Sequence, residues 1–192
     1  MIRPLSDNVV IRRFEAEEKT KGGIILTSAN NMYSGVTQPE VEAYYAALKD
    51  TTDLTPISYG LNTRVVKDSD GTIREEIYKL GGLYSDAIAH IVDNLTKAMA
   101  YAENDAQRMV IARLIDFYTT GDLKTFDDYS IRWAEDTASQ VDFINGFIES
   151  YGDPLGMTGS WESIVNFKNI PASAHGKALS AGHTNRNFGR SE

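Results

Sequence analysis

The chain has 192 residues, no cysteine and a formal net charge of −8. Disulfides, thiolate metal sites and cysteine nucleophiles are therefore excluded, and the acidic balance argues against nucleic-acid binding, which needs clustered Lys and Arg. A hydrophobic content of 42% beside 24% charged residues fits a globular chain with a sizeable core, and no apolar run is long enough to span a bilayer.

Residues 1–30 read as two short strands around a polar loop. Asn8-Val9-Val10-Ile11 is an apolar run, Arg12 to Lys19 is charged, and Gly22-Gly23 precedes a second run, Ile24-Ile25-Leu26. The opening Met1-Ile2-Arg3-Pro4 lacks the apolar stretch of a signal peptide, so a cytoplasmic location is expected.

Residues 31–169 predict a mixed α+β unit. Thr37 caps a first helix with Val41, Tyr44, Tyr45 and Leu48 along one stripe. Leu61 to Lys67 and Thr72 to Tyr78 flank Asp68-Ser69-Asp70-Gly71 as a hairpin. A helix from about Ser85 to Ala102 carries Ile88, Ile91, Val92, Leu95 and Met99 on one face. Asn104 caps a second, with Met109, Val110, Leu114, Ile115 and Tyr118, stopped by Gly121. A third, roughly Leu123 to Asp136, offers Phe126, Tyr129 and Trp133. Three such helices with short connections predict a small bundle. From Gln140 to Tyr151, Val141, Phe143, Ile144, Phe147 and Ile148 read as a buried strand, with a helix as the alternative. Gly152 to Gly156 is a turn, and Ser160 is expected to cap a short helix carrying Trp161, Ile164 and Phe167. Residues 170–192 are small, polar and basic, with only Leu179 and Phe188 as large apolar groups after Ile170. That composition predicts a disordered tail.

Catalytic motifs are scarce. His90 has no second histidine one helical turn away, and His175 and His183 lie in the polar tail with no Glu between them. A catalytic zinc needs three protein ligands and a base, so no metal ligand is assigned. Neither a Gly-x-Ser-x-Gly elbow nor a glycine-rich phosphate loop occurs.

The block at 146–162, Gly-Phe-Ile-Glu-Ser-Tyr-Gly-Asp-Pro-Leu-Gly-Met-Thr-Gly-Ser-Trp-Glu, resembles a signature of the dipeptidyl peptidase III family. So do Thr55 to Asn62, Tyr78 to Tyr84, Tyr118 to Lys124 and Phe126 to Tyr129. The resemblance covers residues 31–169. It implies a piece of a two-lobed zinc metallopeptidase that releases dipeptides from peptide N-termini, with a helical part and short β-elements. Both zinc motifs of that family, His-Glu-x-x-Gly-His and Glu-Glu-x-x-x-Glu/Asp, are absent from this sequence. The chain alone is therefore expected to be inactive, with no cofactor of its own and zinc only in the full-length family. One site residue follows from the resemblance: Asp142, four positions before the Gly-Phe-Ile-Glu run, matches the family's acidic partner of the substrate ammonium. An ordinary solvated aspartate is the competing reading. Ile144 stands where some members carry a Tyr, and Asp153 and Pro154 read as shaping the strand exit.

Ile2-Arg3-Pro4-Leu5, Asp7, Val9 to Arg12, and Gly22-x-Ile24-Ile25-Leu26 resemble the opening of a GroES-type co-chaperonin. That resemblance implies that Ile24, Ile25 and Leu26 dock on a chaperonin; an ordinary buried strand is the other reading. The expected organisation is thus residues 1–30 co-chaperonin-like, 31–169 peptidase-like and 170–192 tail, in a truncated or joined reading frame. Expected partners are a peptide and a chaperonin, and neither nucleic acid nor membrane.

Overall fold

Residues 31–169 and 171–174 are described by the computed structural model. The expected strands of 1–30, with Ile24, Ile25 and Leu26, lie outside them, as do residue 170 and residues 175–192. The four described tail residues, 171–174, form an exposed helical turn.

A first unit joins β1 (Tyr33–Ser34), α1 (Gln38–Leu48), β2 (Thr63–Lys67) and β3 (Ile73–Ile77). Thr37 takes the extended backbone of an N-cap, and the Glu40 carboxylate accepts from its N–H and its hydroxyl, both at 2.9 Å. The Lys67 ammonium, 2.6 Å away, and then the Thr37 N–H hold the Glu40 carboxyl at about 2. Val41 and Tyr45 are the buried pair of the expected stripe, while Leu48 is exposed. The hairpin forms as expected, with β2 and β3 antiparallel from Thr63↔Ile77 to Lys67↔Ile73. β1 adds in parallel on the other side of β2, Tyr33 opposite Val65. Tyr33, Val36, Val41, Tyr45 and Val65 make this unit's core.

A second unit contains α2 (Ser85–Ala98), α3 (Asp105–Thr120), α4 (Leu123–Glu135), β4 (Val141–Glu149) and β5 (Ser160–Phe167). α2 stops earlier than expected and continues as a 3-10 turn, Met99–Tyr101. The Asn104 side chain caps α3 by accepting from the Gln107 N–H at 2.9 Å. Gly121 ends α3 at φ 74, and a Cβ there would come 2.6 Å from Ile77, so glycine is required both by conformation and by space. α3 lies between α2 and α4. Its buried face is Val110, Ile111, Leu114, Phe117 and Tyr118, rotated from the expected one, so that Met109 is exposed. These residues pack with Ile88, Phe126, Tyr129 and Phe147 into the larger core.

The stretch from Gln140 resolves to a strand, and the helix expected after Ser160 does not form. β5 instead pairs antiparallel with β4 from Val141↔Phe167 to Phe147↔Trp161, with a bulge before Glu149↔Ser160. An eight-residue helix gains little by itself, whereas an adjacent strand offers a row of unpaired N–H and C=O groups. Tryptophan, isoleucine, valine and phenylalanine also suit a pleated surface.

The turn between β4 and β5 is built on Asp153, which is 5% exposed. Its carboxylate accepts from the N–H groups of Leu155 at 3.0 Å, Met157 at 2.9 Å and Thr158 at 2.7 Å. It also accepts the Tyr33 hydroxyl at 2.7 Å, which ties the turn to β1. Burial, then the Asp153 carboxylate, raises the Tyr33 hydroxyl far above its ordinary range. Asp153→Ala strands four donors in a dry site, so it is expected to cost about 3 kcal/mol in urea unfolding. A loss under about 1 kcal/mol, the scale of a surface contact, would mean that the turn is held by other groups.

Candidate functional site

Strand β4 packs on α3 and α4, and side chains tie down its start and its middle. At its start, the Glu103 carboxylate accepts from the backbone N–H of Val141 at 2.7 Å and of Gln140 at 2.9 Å. Those two N–H groups, Val141 first, hold the Glu103 carboxyl below its usual range. Gln107 Nε2 donates to the Val141 carbonyl at 2.8 Å while its Oε1 accepts from the Glu103 N–H at 2.7 Å. Glu103, just before the α3 cap, and Gln107, in its first turn, thus use the free edge of β4 at one position. Further along, the Tyr118 hydroxyl donates to Asn145 Oδ1 and accepts from Trp161 Nε1 at 2.8 Å, and Asn145 Nδ2 donates to Ser163 Oγ at 3.2 Å. Gly146 lets the ring of Phe126 approach: a Cβ there would sit 2.7 Å from it.

Asp142 is exposed near the start of β4, opposite Asn166 of β5. Trp133 Nε1 of α4 donates to its Oδ1 at 2.9 Å, which fixes the carboxylate and leaves Oδ2 open to a second donor. A cavity of about 520 Å³ adjoins it, lined by Gln107, Val110, Trp133, Ser139, Phe143 and Lys168 among others. Lys168 reaches across to the Thr137 carbonyl at 2.7 Å. On the cavity's rim Asp136 is partly buried, which raises its carboxyl. The Ser139 hydroxyl and the N–H groups of Ser139 and Ala138 outweigh that and hold it below the usual range. Tyr129, behind the strand, is pushed up to about 12 by burial, with the Asp142 carboxylate adding to it. The site can therefore accept one cationic donor at Asp142, beside an apolar and polar recess.

The other expected residues are distributed differently. Ile144 pairs with Ile164 and offers no polar group. Trp133 and Lys168 escaped the sequence reading as site residues. Trp133 reads as one more apolar helix position, and Lys168 follows the segment that was expected to be helical. A zinc does not fit the donor set. His90 is exposed on α2, the one histidine among the described residues, and no three His, Cys, Asp or Glu side chains among them converge.

Comparisons with known proteins bear on this geometry. The model of peptidase family M49 matches residues 28–185, and that of the chaperonin 10 Kd subunit matches residues 1–54. Dipeptidyl peptidase 3 of Rattus norvegicus is 33% identical over 129 residues, 63% of this chain and 18% of that protein. Co-chaperonin GroES of Methylobacterium radiotolerans is 75% identical over 24 residues, 12% of this chain and 25% of that protein. The solved dipeptidyl-peptidase III from Corallococcus sp. strain EGB shares the fold with a TM-score of 0.59 at 20% identity, over 79% of this chain and 27% of that one. This chain thus spans about a fifth of the curated peptidase it matches, 18% of its length.

The anchoring of β4 carries a pH dependence of definite sign. Glu103 and Asp136 have folded pKa values below their unfolded ones, so their contribution is complete above about pH 4.3 and fades as pH falls through the folded values. Urea unfolding at neutral pH and at about pH 3.5 should show wild type losing more stability than Glu103→Gln. Equal losses would mean that Glu103 does not hold the strand.

Proposed function

Because the chain belongs to peptidase family M49, we propose that it is a peptide-binding piece of a dipeptidyl peptidase III-like zinc metallopeptidase, with Asp142 receiving the peptide's N-terminal ammonium. The observation that carries this reading is Asp142 itself: a carboxylate held by Trp133 on a strand lip, with one oxygen open beside a recess. A carboxylate facing an ammonium forms a charge-assisted hydrogen bond, and only a free amine supplies that donor. The same residue would let an enzyme count from the peptide's end. Hydrolysis by this chain alone is not part of the proposal, since the described side chains do not assemble a zinc site. A cytoplasmic location agrees with the sequence, and no helix among the described residues is long and apolar enough to cross a membrane.

A second reading rests on residues 1–54, which match the chaperonin 10 model: Ile24, Ile25 and Leu26 dock on a chaperonin ring. Three consecutive aliphatics after a Gly-Gly hinge suit an apolar groove on a partner. Co-sedimentation with a chaperonin ring separates this from the peptidase reading. Wild type should pellet with the ring and Ile25→Asp should not; a wild type that stays in the supernatant ends the idea.

Calorimetry with a short peptide, free or N-acetylated, tests the role of Asp142. Acetylation and Asp142→Asn are each expected to weaken binding about fivefold, the worth of an exposed ion pair. Identical heats for the two peptides would remove Asp142 from the site. With zinc and a chromogenic dipeptide substrate, no release is expected, and metal-dependent release would refute inactivity.

A further inference from the structure

Strand β5 has one neighbour, β4, and its other edge is open among the described residues. The ladder itself shows which groups that edge presents. Lys168 N–H donates to the Gln140 carbonyl at 2.8 Å. Val141, opposite Phe167, instead donates its N–H to Glu103 and accepts from Gln107 at its carbonyl. Bonded and unbonded pairs alternate along an antiparallel ribbon. The N–H and C=O groups of Ser163, Val165 and Phe167 therefore point away from β4, and no group of the described residues bonds to them. The side chains do little to protect this edge. Val165, Phe167 and Ile164 are exposed, and the strand carries no proline. An apolar edge of this kind is a template for another strand.

We infer that the partner is a second copy of this chain, with β5 antiparallel to β5 across a two-fold axis at Val165. Charge selects both this occupant and this register. Residues 160–168 contain two charged side chains, Glu162 and Lys168, and the strand's alternation puts them on one face. With Val165 opposite its own counterpart, Glu162 of each copy faces Lys168 of the other. These are the closely spaced, non-hydrogen-bonded positions of the new ladder. Symmetry makes the same ion pair twice, and a slip of two residues breaks both. Lys168 gives one of its three donors to the Thr137 carbonyl and keeps two for this contact. The outward groups of Ser163, Val165 and Phe167 then exchange about six hydrogen bonds, and two marginal ribbons become one four-stranded sheet. Growth stops there. The far edge of β4 is occupied at Val141 by Glu103 and Gln107, so the assembly closes as a dimer.

Sedimentation velocity of the full chain over a concentration series reads the association. Wild type is expected to show a monomer–dimer equilibrium. Glu162→Lys and Lys168→Glu each set like charges opposite one another twice, so each should weaken the dimer about tenfold. Mixing the two variants in equal amounts restores opposite charges at both places, and the dimer should return as a heterodimer. Val165→Pro removes an outward N–H and no bond to β4, so it should give a monomer with the far-UV circular dichroism of wild type. A wild type that stays monomeric up to roughly 100 μM overturns the inference. So does a dimer indifferent to the two charge variants, which would mark another face or register. A mixture that fails to reassociate, or growth beyond the dimer, overturns it equally. These outcomes leave peptide binding at Asp142 and co-sedimentation with a chaperonin to be judged on their own assays.

Discussion

Asp153 is the constraint on which the remaining geometry rests. A carboxylate removed from water must be given donors, and this one receives three backbone N–H groups from its own turn and a hydroxyl from β1. The three N–H groups curl residues 153–158 into a closed turn. Closure brings β5 back alongside β4, where the backbone ladder takes over. The Tyr33 hydroxyl, kept protonated by its burial and by Asp153, joins the turn to the smaller core. Gly159 N–H on the Leu61 carbonyl at 2.8 Å adds a second tie between the two units. One buried charge thus sets both the reversal of the chain and the union of its cores.

The opposite end of β4 is held by a different device. Glu103 and Gln107, on either side of the α3 cap, occupy the N–H and C=O of Val141, so the strand starts where α3 starts. The Tyr118–Asn145–Ser163 chain then fixes the middle of the ribbon to the core. Asp142 lies between these anchors, and its position follows from them together with the Trp133 indole. Substitutions at Glu103 or Gln107 accordingly reach Asp142 through the backbone without touching it.

Local signals were legible in the sequence wherever a backbone group had to be satisfied nearby. Thr37 with Glu40, Asn104, Gly121 and the Asp68-to-Gly71 turn each marked an end that the structure keeps. The phase of α3 was harder, because Met109 and Phe117 are equally apolar and only the packing of α2 and α4 on either side decides which faces inward. β5 was misread for a related reason. Trp161, Ile164, Val165 and Phe167 recur at helical spacing, while the pairing that makes them a strand is made across a turn with β4. Asp142 was visible only through resemblance. Its indole partner is nine residues away on another element, and no local pattern reports that contact.

The bare side of the ribbon limits what Asp142 can do here. Val165 is 69% exposed and Phe167 80%, and a two-stranded ribbon is marginal without cover. Asp142 is itself exposed, so an ammonium seated on it exchanges water for a carboxylate in a high-dielectric setting and gains about 1 kcal/mol at most. The same pair enclosed by a second wall would lose its competing water and gain roughly 1.5–3 kcal/mol. The free edge of β4 adds little at its start, because Glu103 and Gln107 already hold the N–H and C=O of Val141. On the proposed reading, specificity for a free amine would reside in this chain, whereas affinity would depend on a surface that closes over it. If Asp142 receives the ammonium as proposed, selection of the peptide's end and tight retention of the peptide are separable, and the described residues would carry the first.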